Sequence, residues 1–524
     1  MLGKLTTMTT GGPVLSALLM VLLVGPLVMA VAACAIGRSR PRLAGRLGAG
    51  TAALGFLGSA VLAVAAAAGT PASVSLGSEE HPVLAVTADR LAVVLLLLVF
   101  GVSAIVQTFA IRYLAEDHRA GWFSAAAGLL TSASATLMTA STLVVLALGW
   151  TAAGIALCLL LAIYWQLPSA RDGVRRTAAA FLIGDLALWA AVALIAAHQG
   201  TVDLRALQAE PLGGTLVALA ALLVVTAALS RSAQVPFHRW LPATLAAPTP
   251  VSALLHAGVV NAGGVLLIKL SPEVTASGLA RALIIVAGIA TLIYGAVIML
   301  VKPDVKGALA HSTMAQMGFM ILTCGLGLWA AAVFHLVAHG FYKATLFLSS
   351  GSAITYRRRK RSLPPAVRRT RGAIPAVVLP AAAIALALTL VPMGPGEHTA
   401  EWALLLFAWV TGAAATSGWL ARRPGPGGVL TAAAFLLPAG LGYVWLVAGV
   451  TGFLAPDLPA SALPTAATWL VTAVALAILG GLAAAFRAPG ATRLQRALYA
   501  RALSAGHITP PAQSLPTHLT GARS

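Results

Sequence analysis

The stretch from Ser230 to Leu270 reads SRSAQVPFHRWLPATLAAPTPVSALLHAGVVNAGGVLLIKL and lies between two strongly apolar runs. Its polar and ionisable residues include Arg231, Gln234, His238, Arg239, His256, Asn261 and Lys269, and its prolines are Pro236, Pro242, Pro248 and Pro250. Prolines interrupt or kink a helix that contains them. A polar, broken segment at membrane depth is tolerated only where protein or a wet cavity surrounds it. Because ionisable residues at that depth mark ion pathways, the stretch predicts a transport pathway.

The composition predicts a polytopic membrane protein. Of 524 residues, 59% are hydrophobic and 9% are charged, and the mean hydropathy is +0.92, whereas soluble domains carry roughly 25% charged residues. Apolar runs repeatedly reach the roughly 20 residues that cross a hydrocarbon core. The net charge of +20 comes from Lys and Arg in short loops between those runs. This pattern indicates positive-inside topology and argues against a nucleic-acid partner.

Placing the basic loops on one face predicts an all-α fold with about 15 transmembrane helices. The alternation requires the seventh crossing, Leu212–Ala247, to be one discontinuous helix, followed by a helix at Val251–Leu270. We expect the protein in the cell membrane, with the basic loop Arg357–Arg371 and the C-terminus in the cytoplasm. The tail after Arg487 has an amphipathic pattern suited to the membrane surface or a partner, and a loosely held tail is the alternative.

A lone carboxylate, Asp185, follows Gly184 in the middle of the predicted sixth helix. An unpaired charge among apolar side chains is strongly unfavourable, and Arg231 is the obvious partner. Since arginine does not release its proton in practice, it would act on a pathway through its fixed charge. A purely structural ion pair and a part in a relay both remain open for Asp185.

Three titratable residues share one face of the predicted eleventh helix, in FHLVAHGFYKATLF. His335, His339 and Lys343 have i, i+4, i+8 spacing, which stacks them along a helix and favours a proton relay. The histidine pair could suggest zinc, but neither Glu nor Cys accompanies it, so the relay is preferred. A lone histidine is usually a satisfied core residue, yet His256 follows the proline break and is expected to face the Arg231 region. Histidine titrates near neutrality, and the secondary pathway candidates are His238, His311 and Gln316.

The sequence predicts no catalytic residue, cofactor or metal site in this chain. It contains no phosphate-binding glycine loop, cysteine cluster or haem attachment motif. Its cysteines, Cys34, Cys158 and Cys324, are far apart in apolar runs and lack metal-ligand spacing, which indicates structural thiols.

Three segments resemble the proton-translocating antiporter-like subunits of respiratory complex I and Mrp antiporters. They read SAQVPFHRWLPATLAAPTPVSALLHAG, DVKGALAHSTMAQMGFM and FHLVAHGFYKATLFLSSGS, and the resemblance covers roughly residues 85–355. It implies two inverted five-helix repeats and half-channels joined by a polar chain at the midplane. The residues of this sequence at the positions of those midplane polar side chains are Asp185, His256, His335, His339 and Lys343.

On this resemblance the chain divides into five parts. N-terminal transmembrane helices occupy residues 1–120, and the two antiporter-like repeats occupy 121–270 and 271–421, the second being reduced. C-terminal transmembrane helices occupy 422–490, and a cytoplasmic tail occupies 491–524.

The sequence also departs from the complex I pattern. Thr151 stands after Trp150 where a glutamate is usual, Arg231 replaces a lysine, and no lysine follows Lys360. The NAGG after His256 and the reduced C-terminal half resemble the DabB family, membrane subunits of inorganic carbon transporters. That resemblance implies coupling of cation flow, with the proton as the expected cation, to a zinc-bearing DabA-type partner on the cytoplasmic face. The alternatives are a divergent complex I, hydrogenase or Mrp-type subunit, and a membrane anchor that conducts no ions.

Overall fold

The computed structural model describes residues 6–77, 82–209, 214–352, 373–391, 398–459, 465–487 and 493–506. The helices within these ranges are α1 Pro13–Ile36, α2 Pro41–Ala67, α3 Arg90–Tyr113, α4 Ala120–Thr139, α5 Leu143–Leu161, α6 Pro168–Gln199, α7 Leu204–Ala209, α8 Thr215–Arg231, α9 Thr249–Ala257, α10 Ala262–Lys269, α11 Ser271–Ala276, α12 Gly278–Val301, α13 Val305–Gly325, α14 Trp329–Leu348, α15 Ala373–Leu390, α16 Thr399–Arg422, α17 Pro426–Leu454, α18 Thr465–Arg487 and α19 Arg493–Ala505.

The predicted class, an all-α polytopic membrane protein, is confirmed. Within the described ranges, ten helices are long and apolar enough to cross a membrane, and shorter apolar helices accompany them. The crossing formed by α9 and α10 is the most enclosed of the ten, with 94% of its apolar window buried, so it lies at the centre of the bundle. The total of about 15 crossings stays a prediction, as do the domain boundaries near residues 120, 270, 421 and 490.

A small antiparallel sheet, which the sequence analysis did not predict, joins the N-terminus to the loop between α2 and α3. Its strands are β1 Thr6–Thr10, β2 Ala72–Gly77 and β3 Pro82–Ala88, in the order β1-β2-β3. These strands are short and rich in Thr and Val, residues that favour extended backbone. The sheet adjoins the C-terminus of α2 and the N-terminus of α3, away from the basic loops that precede α2 and follow α3.

The predicted break in the seventh crossing is present. Helix α8 ends at Arg231, and a 3₁₀ segment begins only at Phe237 and runs to Ala246. Side chains satisfy the backbone groups that the break frees, as non-helical backbone at membrane depth requires. Their hydrogen bonds are Trp240 Nε1 to Ser230 O (2.9 Å), Ser232 Oγ to Val260 O (2.7 Å) and Val235 N to Thr291 Oγ1 (2.9 Å).

The next crossing, expected as a helix at Val251–Leu270, spans Thr249–Lys269 and contains a break of its own. Helix α9 ends at Ala257, a 3₁₀ turn covers Val259–Asn261, and α10 follows. The Asn261 side chain donates to the carbonyl of Ala257 at 2.9 Å. A side-chain amide thus bonds a carbonyl that a continuous helix would pair with its own backbone.

Two sequence-based expectations concern residues beyond the described ranges. The loop Arg357–Arg371, expected in the cytoplasm, lies outside them, and so does the end of the tail from residue 507 to residue 524.

Candidate ion pathway

The buried ion pair expected between α6 and α8 is present. The Arg231 guanidinium donates from Nη2 to Asp185 Oδ1 at 2.8 Å and from Nη1 to the Trp150 carbonyl at 3.1 Å. The Arg231 side chain is 0% exposed and that of Asp185 is 17% exposed. Two aromatic rings flank the guanidinium, with 4.3 Å to the centroid of Trp150 and 4.1 Å to that of Phe181. Arg231 is therefore held by hydrogen bonds, a charge and cation–π contacts together.

Two glycines make room for this clamp. A Cβ atom at Gly154 would lie 3.0 Å from Arg231 Nη2, against the guanidinium. A Cβ atom at Gly184 would overlap the hydroxyl of Ser230, so the glycine lets α6 and α8 approach closely beside Asp185. Thr151, where the resemblance leads one to expect a glutamate, accepts a hydrogen bond from Trp189 of α6 at 3.2 Å. The carboxylate for Arg231 thus comes from α6 and not from α5.

A second buried cation, Lys343 of α14, lies in a different environment. Its side chain is 0% exposed, and Nζ donates to Ser312 Oγ of α13 at 2.7 Å. Among the described residues, no Asp or Glu oxygen lies within 4.0 Å of this ammonium. A hydroxyl can accept from the ammonium and can equally donate to the neutral amine, so the contact is compatible with either protonation state.

Histidines adjoin Lys343 along the helix, as the spacing predicts. The rings of His335 and His339 stack with centroids 5.6 Å apart. Both ring nitrogens of His339 and Nε2 of His335 are buried, and no protein hydrogen-bond partner is present for them in the described part of the chain. Unpaired buried nitrogens of this kind are costly unless water or a transferable proton serves them.

His256 belongs to the Lys343 region and not, as the sequence analysis expected, to that of Arg231. Its ring stacks on Phe347 of α14, with centroids 4.3 Å apart and planes within 13°. The charged or titratable groups that act on it are Lys343, Lys306 and His311. The break at Gly258 allows α9 to pack along α14, and this packing explains the difference.

The secondary candidates lie at the two ends of the Lys343 cluster. On the side of the basic loops, His311 Nδ1 lies 2.8 Å from the Gly307 carbonyl, and the His238 ring contacts that of Tyr294. At the other end, Gln316 and His335 line a cavity of about 300 Å³ bounded by α12, α13, α14, α16 and α18. The Gln316 Oε1 atom is buried without a protein partner in the described ranges. The structure therefore groups His256, His335, His339 and Lys343 around α14. Asp185 and Arg231 form a separate pair.

Sequence reasoning missed buried ionisable groups near the opposite face. Glu273 of α11 is 1% exposed, and burial raises its pKa to about 7. Asp89 caps α3, and burial also raises its pKa, while the charge of Lys269 opposes the rise. Both acidic residues lie at the ends of apolar runs. The sequence around them looks like that of an ordinary solvent-exposed loop. Only the packing of the short helix α11 shows that Glu273 is enclosed.

Comparison with known proteins identifies the family. A model of the family described as NADH:quinone oxidoreductase/Mrp antiporter, TM, matches residues 140–421. That range is more than half of the chain. The chain belongs to this family. A second model, described as NADH-Ubiquinone oxidoreductase (complex I), chain 5 N-terminus, matches residues 79–124.

Curated relatives extend the comparison. The chain is 36% identical over 348 residues to a protein of Halothiobacillus neapolitanus named "Probable inorganic carbon transporter subunit DabB1", covering 62% of each protein. It is 36% identical over 272 residues to the Bacillus subtilis protein named "Probable inorganic carbon transporter subunit DabB", covering 51% of this chain and 53% of the relative. NADH-quinone oxidoreductase subunit L of Mycobacterium tuberculosis is 35% identical over 271 residues, with 51% and 43% covered. The chain thus spans about two fifths to three fifths of the length of these relatives.

Solved structures share the fold. The Mrp complex from Dietzia sp. DQ12-45-1b contains a chain that matches 93% of this one, with a TM-score of 0.62, 24% identity and 59% of that chain covered. A chain of an archaeal membrane-bound sulfane sulfur reductase matches 94% of this one, with a TM-score of 0.60, 18% identity and 97% of that chain covered. These two structures show the fold of the chain, and the family model shows its family.

Proposed function

We propose that the chain is the membrane subunit of an energy-coupled pump for inorganic carbon, CO2 or bicarbonate. In this proposal it couples proton flow to a zinc-bearing DabA-type partner on the cytoplasmic face, the face of the basic loops. The similarity to DabB-named relatives, at 36% identity over as much as 62% of the chain, supports the assignment to inorganic carbon. The zinc belongs to the partner.

The observation that carries the proton proposal is the environment of Lys343. A lysine that is fully buried and unpaired can change its protonation state, and its hydrogen-bond partner Ser312 tolerates both states. His339 and His335 continue the stripe toward the cavity of about 300 Å³. Water can bridge the gaps between ring nitrogens and the amine. A proton would thus pass between that cavity and His311 on the basic face, by way of the histidines and Lys343.

The Arg231–Asp185 pair has a different task in this scheme. Arginine retains its proton, so the pair keeps two fixed opposite charges and holds α6 against α8 beside the break. It sets the electrostatic potential of the pathway but does not carry the proton. His256, stacked on Phe347, adds a titratable ring next to Lys343.

The proposal is tested by measuring carbon uptake. The chain is expressed with a DabA-type subunit in cells that lack carbonic anhydrase, and labelled bicarbonate accumulation is followed with and without a protonophore. We expect accumulation that needs both subunits and collapses with the protonophore. Accumulation that is unaffected by the protonophore would refute proton coupling, and the absence of accumulation with a correctly assembled pair would refute the carbon assignment.

A second candidate function is that of a divergent antiporter-like subunit in a complex I, hydrogenase or Mrp-type assembly. The 35% identity to NADH-quinone oxidoreductase subunit L favours it. The neighbouring reading frame discriminates between the two, because a large zinc-ligand-bearing frame supports the carbon pump and quinone-oxidoreductase frames support the alternative.

We also propose that the basic face is cytoplasmic in the cell membrane and that the C-terminus lies there. Basic residues concentrate in loops on one face, and the loop Arg357–Arg371 is the richest of them. A single cysteine placed in that loop, in a variant without the native cysteines, should resist an impermeant thiol reagent added to intact cells. Efficient labelling from outside would reverse the orientation.

A further inference from the structure

A tyrosine on the basic-face half of α12 connects three elements of the molecule. The ring of Tyr294 contacts His238 in the 3₁₀ segment, with centroids 4.6 Å apart, and approaches His311 of α13 at 6.4 Å. Its hydroxyl donates to the carbonyl of Ala505, the last residue of α19, at 3.0 Å. Tyr294 therefore lies between the C-terminal helix and two histidines at the basic-face end of the proposed proton path.

The end of α19 that reaches Tyr294 is packed on one side, while Leu503, Ser504 and Ala505 are exposed. Ala502 is 6% exposed and Gly506 is buried. A Cβ atom at Gly506 would lie 2.6 Å from Ile298 Cγ2 and 3.3 Å from Lys302 Cε, so a larger residue requires the Ile298 side chain or the end of α19 to shift. The arginines of the helix, Arg493, Arg496 and Arg501, are exposed. Its contact with Tyr294 is thus made at the apolar C-terminal end, while its charged side chains remain free for solvent or a partner.

We propose that Tyr294 is a positioning residue that couples the docking of α19 to the protonation of His238 and His311. This inference rests on the proposed function in one respect: the proposed proton path connects His311, next to Ser312, with Lys343. With α19 docked, the hydroxyl proton of Tyr294 is directed at Ala505 and away from the histidines. With α19 displaced, the hydroxyl needs another acceptor, and His238 Nδ1 is buried without a protein partner in the described ranges.

The surroundings make such a coupling consequential. Arg239 acts on both His238 and Tyr294, and the charged groups that act on His311 are Lys302 and Asp304. The site is thus mainly positive and partly buried. In such a place one hydrogen bond to a neutral ring nitrogen changes the balance between protonation states. A partner that moved α19 through its exposed arginines would alter proton transfer without touching the histidines.

The test measures histidine C2 hydrogen–deuterium exchange by mass spectrometry over a pH series. The full chain is reconstituted in phosphatidylcholine–phosphatidylglycerol nanodiscs. Two variants disturb the connection from opposite sides. Tyr294→Phe removes the hydroxyl and keeps the ring, and Gly506→Val wedges the end of α19 away from Ile298. The matched controls are Tyr443→Phe, whose hydroxyl donates to Leu404 O at 3.2 Å, and Gly442→Val, where a Cβ meets nothing within 4 Å.

We expect Gly506→Val to change the exchange of His238 by about fivefold, the equilibrium effect of one neutral hydrogen bond. Adding Tyr294→Phe to Gly506→Val should abolish that change, because phenylalanine has no hydroxyl to turn toward the ring. The controls and the exposed His118 should stay unchanged. If Gly506→Val behaves like its control, α19 is not coupled to the histidine, and the inference fails. If the double variant differs from its control as much as Gly506→Val does, Tyr294 does not carry the coupling and is only a packing residue. Either result is independent of carbon uptake, so it leaves the proposed function to its own test.

Discussion

Arg231 and Lys343 are both fully buried cations in broken or polar parts of the bundle, yet their surroundings differ in kind. Arg231 has a carboxylate at 2.8 Å, a carbonyl at 3.1 Å and two flanking aromatic rings. Lys343 has one hydroxyl at 2.7 Å and a neighbouring stripe of histidines. The first arrangement stabilises a permanent charge, and the second allows the side chain to gain and lose a proton. Buried cations with the same formal charge can therefore serve as anchor and carrier.

The comparison predicts the largest functional loss at Lys343. Replacing Lys343 with Met should reduce proton-coupled carbon accumulation by about 100-fold or more, the usual effect of removing a positioned proton-transfer group. The amount of protein in the membrane and its thermal unfolding midpoint should not fall, because the variant removes an unpaired buried charge. His339→Ala should act in the same direction.

The matched control at this site is Lys269→Met, which also removes a buried lysine but lies outside the stripe, with Nζ bonded to the Ala140 carbonyl at 2.9 Å. It should retain accumulation per folded molecule. Wild-type activity in both Lys343→Met and His339→Ala would make α14 a scaffold helix and remove the distinction between anchor and carrier.

The Asp185–Arg231 pair predicts the largest loss of stability. Asp185→Asn leaves Arg231 buried without its counter-charge, so the free energy of unfolding should fall by about 3–5 kcal/mol. Denaturant unfolding in detergent measures the change. The double variant with Arg231→Gln should recover part of the loss, because neither charge is then left alone.

An exposed ion pair of the same helix provides the control. Asp172 and Arg176 form an i, i+4 pair at 2.8 Å with side chains 22% and 35% exposed, so Asp172→Asn should cost at most about 1 kcal/mol. A double variant at Asp185 and Arg231 that is no better folded than the worse single variant would show that the two residues are not energetic partners.

A third buried ionisable side chain, Glu273, has no cation within 4.0 Å in the described part of the chain and lies outside the predicted spans. Its pKa is raised from 4.5 to about 7 by burial, so the folded state binds the proton more tightly than the unfolded state. Stability from this group is fully present below pH 4.5 and declines as pH rises toward 7, by about 3 kcal/mol in all.

Thermal unfolding between pH 4.5 and pH 8 tests this prediction. Glu273→Gln should flatten the decline and should be more stable than the native chain at pH 8. A native pH profile that the substitution leaves unchanged would show that Glu273 is ionised in the folded protein or that another group dominates.

The anchor was easier to predict from sequence than the carrier's surroundings. A lone Asp185 among apolar residues demands a cation, and Arg231 was the nearest in the topology, so the pairing followed from the cost of burial. The i, i+4, i+8 spacing likewise placed His335, His339 and Lys343 on one face. These two deductions depend only on chemistry and helix periodicity.

The rest depended on how helices pack against one another. The position of His256 beside Phe347 results from the break at Gly258–Asn261, which a strongly apolar sequence conceals. The carbonyl of Trp150 has no sequence signal at all, because every residue offers one. Tyr294 had a weak signal, since it is the only tyrosine in an otherwise apolar helix, but its link to Ala505 joins positions 211 residues apart.

The smallest expected effect comes from Arg231→Lys, and it tests the comparison most directly. Lysine can still pair with Asp185, but it loses the planar stacking between Trp150 and Phe181. Stability should therefore fall by only about 1–2 kcal/mol. If the anchor needs only a positive charge, carbon accumulation per folded molecule should remain within about threefold of the native value. A threefold change is smaller than the effect of losing one hydrogen bond.

The reciprocal swap, Lys343→Arg, keeps the charge at the carrier position but makes it permanent, since arginine does not release its proton. It should lose accumulation as completely as Lys343→Met does, although it preserves a cation beside Ser312. The pair of swaps thus separates charge from proton exchange at each site. If Lys343→Arg stays active, Lys343 acts as a fixed charge like Arg231. If Arg231→Lys folds but is inactive, the forked contact of Arg231 with Asp185 and the Trp150 carbonyl takes part in transport. The pair then has a role beyond stabilising the fold.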